Sequence, residues 1–284
     1  MHPDDIPHRR IAFLDVDGTL IDHHQRLAPS AIEAVRGARA RGHLVYLCTG
    51  RSRTEIPEPV TAIGFDGVIS AGGGFVDRGD ERVAEHTMPS AALHELVAFL
   101  EDNDIEYILQ AYDEIYPSRR MFESIAPVID QVVGRAPEDA ASTDLLRLEK
   151  AMAYRGPAPE DAVAKATFFG TDPRAFEKVR DALGDRFHVI TGTIPYLGGS
   201  GGEISLHGVN KGAAITELVE HLGLTLADAI GIGDSYNDLE MLQVCGVGIA
   251  MGNADDAVKA HADEVTTSVH DDGVHAAFVK HGLI

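Results

Sequence analysis

Cysteine is scarce in this 284-residue chain. Only Cys48 and Cys245 occur, far apart and each inside an apolar stretch. That excludes a disulfide-stapled scaffold and points to buried free thiols in a reducing compartment. Neither C-x-x-C nor H-E-x-x-H is present, which removes common zinc-site patterns. The 14 histidines are scattered, and the His23–His24 pair in "DHHQ" lacks metal-ligand spacing and reads as exposed loop. No apolar run approaches the ~20 residues that a membrane-spanning helix needs. The opening "MHPDDIPHRR" has no apolar core of a secretory signal. The expectation is a cytoplasmic protein with no membrane contact. Basic charge is also short, with 24 Lys and Arg against 45 Asp and Glu, a net charge of -21. A basic face for nucleic acid or anionic lipid is therefore not expected. A local lysine, arginine or metal can still attract a small anionic substrate.

What is present is enough for real cores, with 44% hydrophobic and 24% charged residues. The length suits one large or two ordinary domains. The first part alternates strand and helix. Ile11–Leu14 is a short apolar run. "LAPSAIEAVRGARARG" follows as a helix, with Pro29 in its first turn, Ile32 and Val35 on its buried stripe, and Gly42 at its end. Apolar runs return at Leu44–Cys48 and in "GVIS", Gly67 to Ser70. Short apolar strands alternating with helices predict a parallel sheet covered on both faces.

The middle has a different texture. "AALHELVAFLEDND" is an amphipathic helix pattern, and "IEYILQAYDEIYP" reads as two strands around a turn at Tyr112 to Glu114. "KATFFG" and "RFHVIT" are strand candidates. Between them, "TDPRAFEKVRDALG" is a helix with Asp172 as N-cap. Residues 84–191 are expected to form an inserted α+β domain. Residues 1–83 and 192–284 then form the core. In "YLGGSGGEISLHG", Gly198 to Gly202 reads as a mobile loop. "NKGAAITELVEHLGL" is a helix, "DAIGIGD" a buried strand, "SYNDLEMLQVC" a helix and "VGIAM" a strand.

The stretch "IAFLDVDGTLID" ends a buried run with Asp15 and Asp17. On a strand these side chains share a face, and two close carboxylates repel unless a cation lies between them. A strand followed by an Asp-Gly turn would explain Asp17 but not Asp15. Other strand ends carry polar residues too. Thr49, Gly50 and Arg51 follow Leu44–Cys48, and Asp234 follows Ile230–Gly233, with Asn237 and Asp238 a turn later. Strand ends of a parallel sheet share one edge, where open α/β folds bind ligands. The convergence of three distant segments favours the cation site. An all-oxygen ligand set of Asp15, Asp17, Asp234 and Asp238 suits Mg²⁺, with substrate phosphate as a remaining partner. Thr49 and nearby backbone amides, including that of Gly50, suit phosphate oxygens. Lys211 stands at a helix start, where the macrodipole disfavours a cation by a few tenths to ~1 kcal/mol. An exposed surface lysine is the alternative, and the carboxylate cluster favours a lysine that neutralises an anion.

These parts fit phosphoryl transfer. One aspartate is a nucleophile and the other an acid and base, and spacing does not say which. "DVDGT", "CTGR", the lysine of "GVNKGAA" and "GDSYND" resemble the four ordered motifs of haloacid dehalogenase-like phosphatases. The tail "AMGNADDAVKAHADEVTTSVHDDGV" resembles the Cof-type subfamily. The resemblance implies a Rossmann-like parallel sheet core with helices on both faces and an inserted α/β cap. It implies Asp15 as nucleophile, Asp17 as general acid/base with its carbonyl on Mg²⁺, and Thr49 and Asn237 on phosphate. Lys211 would steady nucleophile and phosphate, Asp234 would ligate Mg²⁺, and Asp238 would orient the metal shell. Arg51 follows the family pattern or braces the loop by a salt bridge. Two departures stand out: Ala71 and Gly72 to Gly74 replace an expected Asn-Gly, and "YLGGSGGEI" is unusually rich in glycine.

The implied activity is Mg²⁺-dependent hydrolysis of small phosphorylated metabolites such as sugar phosphates. Substrate choice would lie with the cap, where Tyr107, Tyr112, Tyr116, Arg119 and Arg120 line the site or merely pack and solvate. A phosphotransferase or phosphohexomutase is the alternative enzyme, a phosphometabolite sensor the non-catalytic one, and a receiver-like signalling domain the third. The cap and Asp17 speak against the last. Oligomeric state is not legible in the sequence.

Overall fold

A computed structural model describes residues 9–126, 150–191 and 200–284. The chain divides into two compact units. One runs to His86 and resumes at Val209, and the other is Thr87–Gly208.

The first unit is built on an eight-stranded sheet. Its strands are β1 (Ile11–Leu14), β2 (Leu44–Cys48), β3 (Gly67–Ser70), β4 (Phe75–Arg78) and β5 (Glu81–Glu85). The second unit contributes β6 (Glu106–Ala111), β7 (Ile115–Pro117), β8 (Val163–Phe169), β9 (Phe187–Thr191) and β10 (Gly201–Leu206) to a separate sheet. The first sheet is completed by β11 (Ala229–Gly233), β12 (Val247–Ala250) and β13 (Glu264–Val265). Its strand order is β13-β12-β11-β1-β2-β3-β4-β5. The strands from β13 to β3 are parallel, and β4 and β5 return as an antiparallel flap.

All four residues of β1 are buried because both faces of the sheet are covered. Ala12 and Leu14 face one core with Val45, Leu47, Ile230 and Ile232. That core is closed by α1 (Pro29–Ala40) through Ala31, Ala34, Val35 and Ala38, and by Val274, Ala277 and Phe278 near the chain's end. Ile11 and Phe13 point the other way, onto Tyr46, Cys48 and Ile69. There α2 (Glu58–Thr61) takes no part, and Ala214, Ile215, Leu218 and Val219 supply the helical side. Period-two alternation within one tetrapeptide thus serves both layers. Both cysteines are free and buried.

In the second unit the strand order is β7-β6-β8-β10-β9, with antiparallel neighbours throughout. Its core joins α3 (Ser90–Asp102), through Leu93, Leu96 and Leu100, to Tyr107, Leu109, Ala166, Phe168 and Ile204. It also includes Ala175, Val179 and Leu183 of α4 (Ala175–Leu183). Helix α4 starts later than a cap at Asp172 implies. Arg174 is its N-cap residue, and Asp172 instead accepts the Arg174 N–H at 2.9 Å, turning the chain ahead of the helix.

The domain limits also differ from the expected 83/84 and 191/192, falling at 86/87 and 208/209. The larger shift has one cause. Gly201 and Gly202, read as loop, begin β10, which sits between β8 and β9. A Cβ on Gly202 would lie 2.6 Å from the Ile190 carbonyl oxygen and 2.7 Å from the Phe168 ring. Glycine there marks close approach in a sheet, not a loop. Gly198, also read as loop, lies outside the described residues.

The first unit's remaining helices are α5 (Lys211–His221), α6 (Leu239–Val244), α7 (Asp256–Lys259) and α8 (Gly273–Lys280). Among the described residues no helix is long and apolar enough to cross a membrane.

Candidate active site

Register brings the candidate residues to one edge of the first unit's sheet. Leu14 pairs with Leu47 on one side and Ile232 on the other. The segments leaving β1, β2 and β11 therefore emerge side by side, carrying Asp15, Thr49 and Asp234. The Asp15 N–H donates to the Ile232 carbonyl at 3.0 Å, fixing the first aspartate against the strand that delivers the second.

Lys211 lies at the centre. It is the first residue of α5, and Asn210 caps that helix by accepting the Ala213 N–H at 2.8 Å. Its side chain is 1% exposed, and its ammonium donates to Asp15 Oδ1 at 2.6 Å and Asp238 Oδ1 at 2.5 Å. Burial works against the charge, but the two carboxylates outweigh it and hold the lysine well above its ordinary pKa. Asp238 is fully buried, and its Oδ2 accepts the Asp234 and Ser235 N–H groups, each at 3.0 Å. Its Oδ2 thus shapes the loop after β11, while its Oδ1 takes the Lys211 ammonium. No described residue donates to Asp15 Oδ2.

Asp15, Asp234 and Asp238 each offer an oxygen within 4.8 Å of the others. Three carboxylates face one ammonium. Burial first, then repulsion from the neighbouring aspartates, pushes Asp15 up to about 7 against the pull of Lys211. The same causes push Asp234 up to about 8. Asp234 Oδ1 is buried without a hydrogen-bond partner. An uncompensated oxygen in an all-oxygen acidic cluster fits a hard divalent cation.

Gly18 makes room for this arrangement. It has φ +79°, and a Cβ there would lie 2.0 Å from Asp234 Oδ2. Only glycine accommodates both the turn and the neighbour.

The Asp17 carboxylate departs from the shared-face reading. It is not in the acidic group. It is held by Arg51, whose Nε and Nη2 each donate at 2.7 Å. Arg51 also donates to the Glu55 carbonyl at 2.8 Å and Gln25 Oε1 at 3.0 Å, so it braces the loop. The physical reason is that Asp17 lies beyond the end of β1, so strand alternation no longer governs its direction.

The Thr49 hydroxyl is buried and accepts the Arg51 N–H at 3.1 Å, which leaves its proton to donate. Gly50 is half-buried beside it. Asn237 is buried with its Oδ1 unpartnered. Asn253, which sequence reasoning assigned no role, donates to the Gly18 carbonyl at 2.9 Å and to Asp234 Oδ2 at 3.1 Å. It lies in the tail "AMGNADDAV", outside the four motifs, and has no acid–base chemistry to draw attention.

The family profile of haloacid dehalogenase-like hydrolases matches residues 12–278. The chain belongs to that family. Pyridoxal phosphate phosphatase YbhA of Escherichia coli is 28% identical to this hydrolase over 97% of this chain and 99% of its own. The HMP-PP phosphatase of Cronobacter sakazakii is 28% identical over 86% of this chain and 85% of its own. The fold matches that of the subclass IIB sugar phosphatase BT4131 with a TM-score of 0.74. That alignment covers 97% of this chain and 100% of the other, at 24% identity. This hydrolase is thus an enzyme with named phosphatases among its relatives.

The second unit's sequence candidates have structural partners of their own. Tyr107 is buried and donates to Glu101 at 2.9 Å, and Tyr116 packs against the unit's core. Arg119 stacks 4.2 Å from the Tyr154 ring centroid. Arg120 pairs with Asp104 and Glu106, each at 3.0 Å. Tyr112 is half-buried in the turn between β6 and β7.

Proposed function

We propose that this hydrolase is a Mg²⁺-dependent phosphatase of small phosphorylated metabolites that works through an aspartyl-phosphate on Asp15. The observation carrying this reading is the asymmetry at Asp15. Lys211 holds one oxygen at 2.6 Å, and no described residue donates to the other. A carboxylate fixed at one oxygen and open at the other is arranged to attack.

Asp15 Oδ2 forms a bond to the ester phosphorus as the bond from phosphorus to the leaving oxygen breaks. Asp17 gives that oxygen its proton. Water then attacks the phosphorus, passes a proton to Asp17, and releases inorganic phosphate with Asp15 restored. General acid–base assistance of this kind contributes roughly 10²–10⁴-fold. Thr49, the Gly50 amide and Asn237 hold the phosphoryl oxygens. Lys211 offsets their charge and keeps Asp15 oriented. Asp15, Asp234 and the Asp17 carbonyl would hold the cation, with Asp238 fixing the loop that carries Asp234. The cation supplies charge stabilisation to the phosphoryl oxygens.

Substrate class follows the relatives, whose named substrates are pyridoxal phosphate and HMP-PP. The setting is cytoplasmic. The test is a panel of phosphorylated metabolites, with and without Mg²⁺, read by release of inorganic phosphate. Metal-dependent release by the wild type and none by Asp15→Asn is expected. An isomerised sugar phosphate without phosphate release would indicate a mutase instead, and unaltered turnover in Asp15→Asn would overturn the reading.

A further inference from the structure

Asn253 joins three pieces of chain that are remote in sequence. Its Nδ2 donates both to the Gly18 carbonyl at 2.9 Å and to Asp234 Oδ2 at 3.1 Å. Its Oδ1 accepts the Val269 N–H at 2.9 Å. The loop bearing Asn253 is itself fixed. The Met251 N–H donates to the Gly233 carbonyl at 2.9 Å, and the Gly252 N–H donates to Thr267 at 3.0 Å. The amide is therefore presented from a fixed base.

The two oxygens of Asp234 are unequal. Oδ2 takes the Asn253 hydrogen bond, while Oδ1 is buried without a partner. Gly18 defines the space that Oδ2 fills, and Asn253 holds it there. Among the described residues, no other group donates a hydrogen bond to the Asp234 carboxylate. A neutral amide donor is suited to this task. It anchors a carboxylate without adding positive charge that would repel a cation.

We propose that Asn253 is a positioning residue for the divalent cation. It occupies Asp234 Oδ2 and so turns Oδ1 toward the ion, while holding the Gly18 carbonyl and with it the turn that carries Asp17. This inference rests on the phosphatase reading. It extends that reading to a residue outside the four motifs, one that touches neither substrate nor reacting atoms. Partners of this kind typically contribute 10–100-fold to metal affinity.

The test is calorimetric titration of the full chain with Mg²⁺ alone and Mn²⁺ alone, with no substrate, on the wild type, Asn253→Ala and Asn253→Asp. The aspartate variant keeps the acceptor for the Val269 N–H and replaces the donor facing Asp234 with an anionic oxygen. Both variants are expected to bind each ion about 10–100-fold more weakly. Their metal-free melting temperatures should stay within about 2 °C of the wild type, since the side chain is exposed. Turnover in Asn253→Ala should return toward wild type as metal concentration rises. Unchanged or tighter binding in either variant overturns the proposal, as does a collapse of metal-free stability that accompanies the loss. If the wild type binds and turns over while the variants bind equally well, only this proposal falls. If the wild type binds no divalent cation, the phosphatase reading fails at its cation and the proposal fails with it.

Discussion

Arg51 holds both carboxylate oxygens of Asp17, through Nε and Nη2, each at 2.7 Å. A residue cast as acid and base is thus parked on a guanidinium, and in the proposed cycle it exchanges that fork for the leaving oxygen. Asp17→Asn should lower kcat by roughly 10²–10⁴-fold. Arg51→Ala releases Asp17 and should cost kcat less than about tenfold, since the acid itself remains. Steady-state phosphate release on both variants distinguishes a proton donor from a structural ion pair.

Lys211, only 1% exposed, neutralises Asp15 and Asp238. Removing one partner of a buried ion cluster leaves the other charges uncompensated and costs about 3–5 kcal/mol. Lys211→Met should therefore unfold at lower urea by that margin as well as lose activity. Adding Asp238→Asn should recover part of the stability and none of the activity. Urea titrations monitored by circular dichroism measure both effects.

Ala71 occupies the left-handed region at φ +49°, where the resemblance led to an expected Asn-Gly. Its N–H donates to the Arg51 carbonyl at 2.7 Å, and the Gly72 N–H donates to the Thr49 carbonyl at 3.0 Å. The turn therefore pins the loop that carries Thr49. A side chain in this conformation costs roughly 1–2 kcal/mol, while glycine's extra freedom in the unfolded chain costs ~0.5–1 kcal/mol. Ala71→Gly should leave stability unchanged or raise it by up to about 1 kcal/mol, against the loss that an ordinary buried Ala→Gly produces. Thermal unfolding of the two proteins decides.

Much of the site was legible because strand ends advertise themselves. Apolar runs stop at Asp15, Thr49 and Asp234, and a parallel sheet places such ends together. Lys211 is buried between two carboxylates, where a helix start beside acidic strand ends draws attention to it. What escaped was set by tertiary contacts. The first two residues of β10, Gly201 and Gly202, read as loop because consecutive glycines look like breakers, yet a Cβ on Gly202 would strike Phe168 and the Ile190 carbonyl. Period-two spacing groups the Asp17 carboxylate with the other acids only if alternation continues beyond Leu14, where β1 ends. Asn253 carries no titratable group, and only its hydrogen bonds show what it does.

Asp22 supplies a pH test away from the reacting groups. Burial would push its carboxyl up. Hydrogen bonds from the Arg26 N–H and Nε and the His24 N–H, with the Arg26 charge, outweigh this and hold it at about 2, against an ordinary 3.8. His270 also faces it at 3.8 Å. The folded value is the lower one, so the contribution is complete above the ordinary value and is lost as pH falls through about 2. The stability difference between wild type and Asp22→Asn should be flat near neutrality and shrink on acidification across that window. Chemical denaturation at stepped pH reads it directly.

All the reacting groups named above lie outside one contiguous stretch, Thr87–Gly208. The stretch ends only two residues before Asn210, which caps the helix that begins at Lys211. Any redesign of the insertion therefore has a downstream limit at Gly208, because a splice that reaches Asn210 removes the cap of the helix that begins at Lys211.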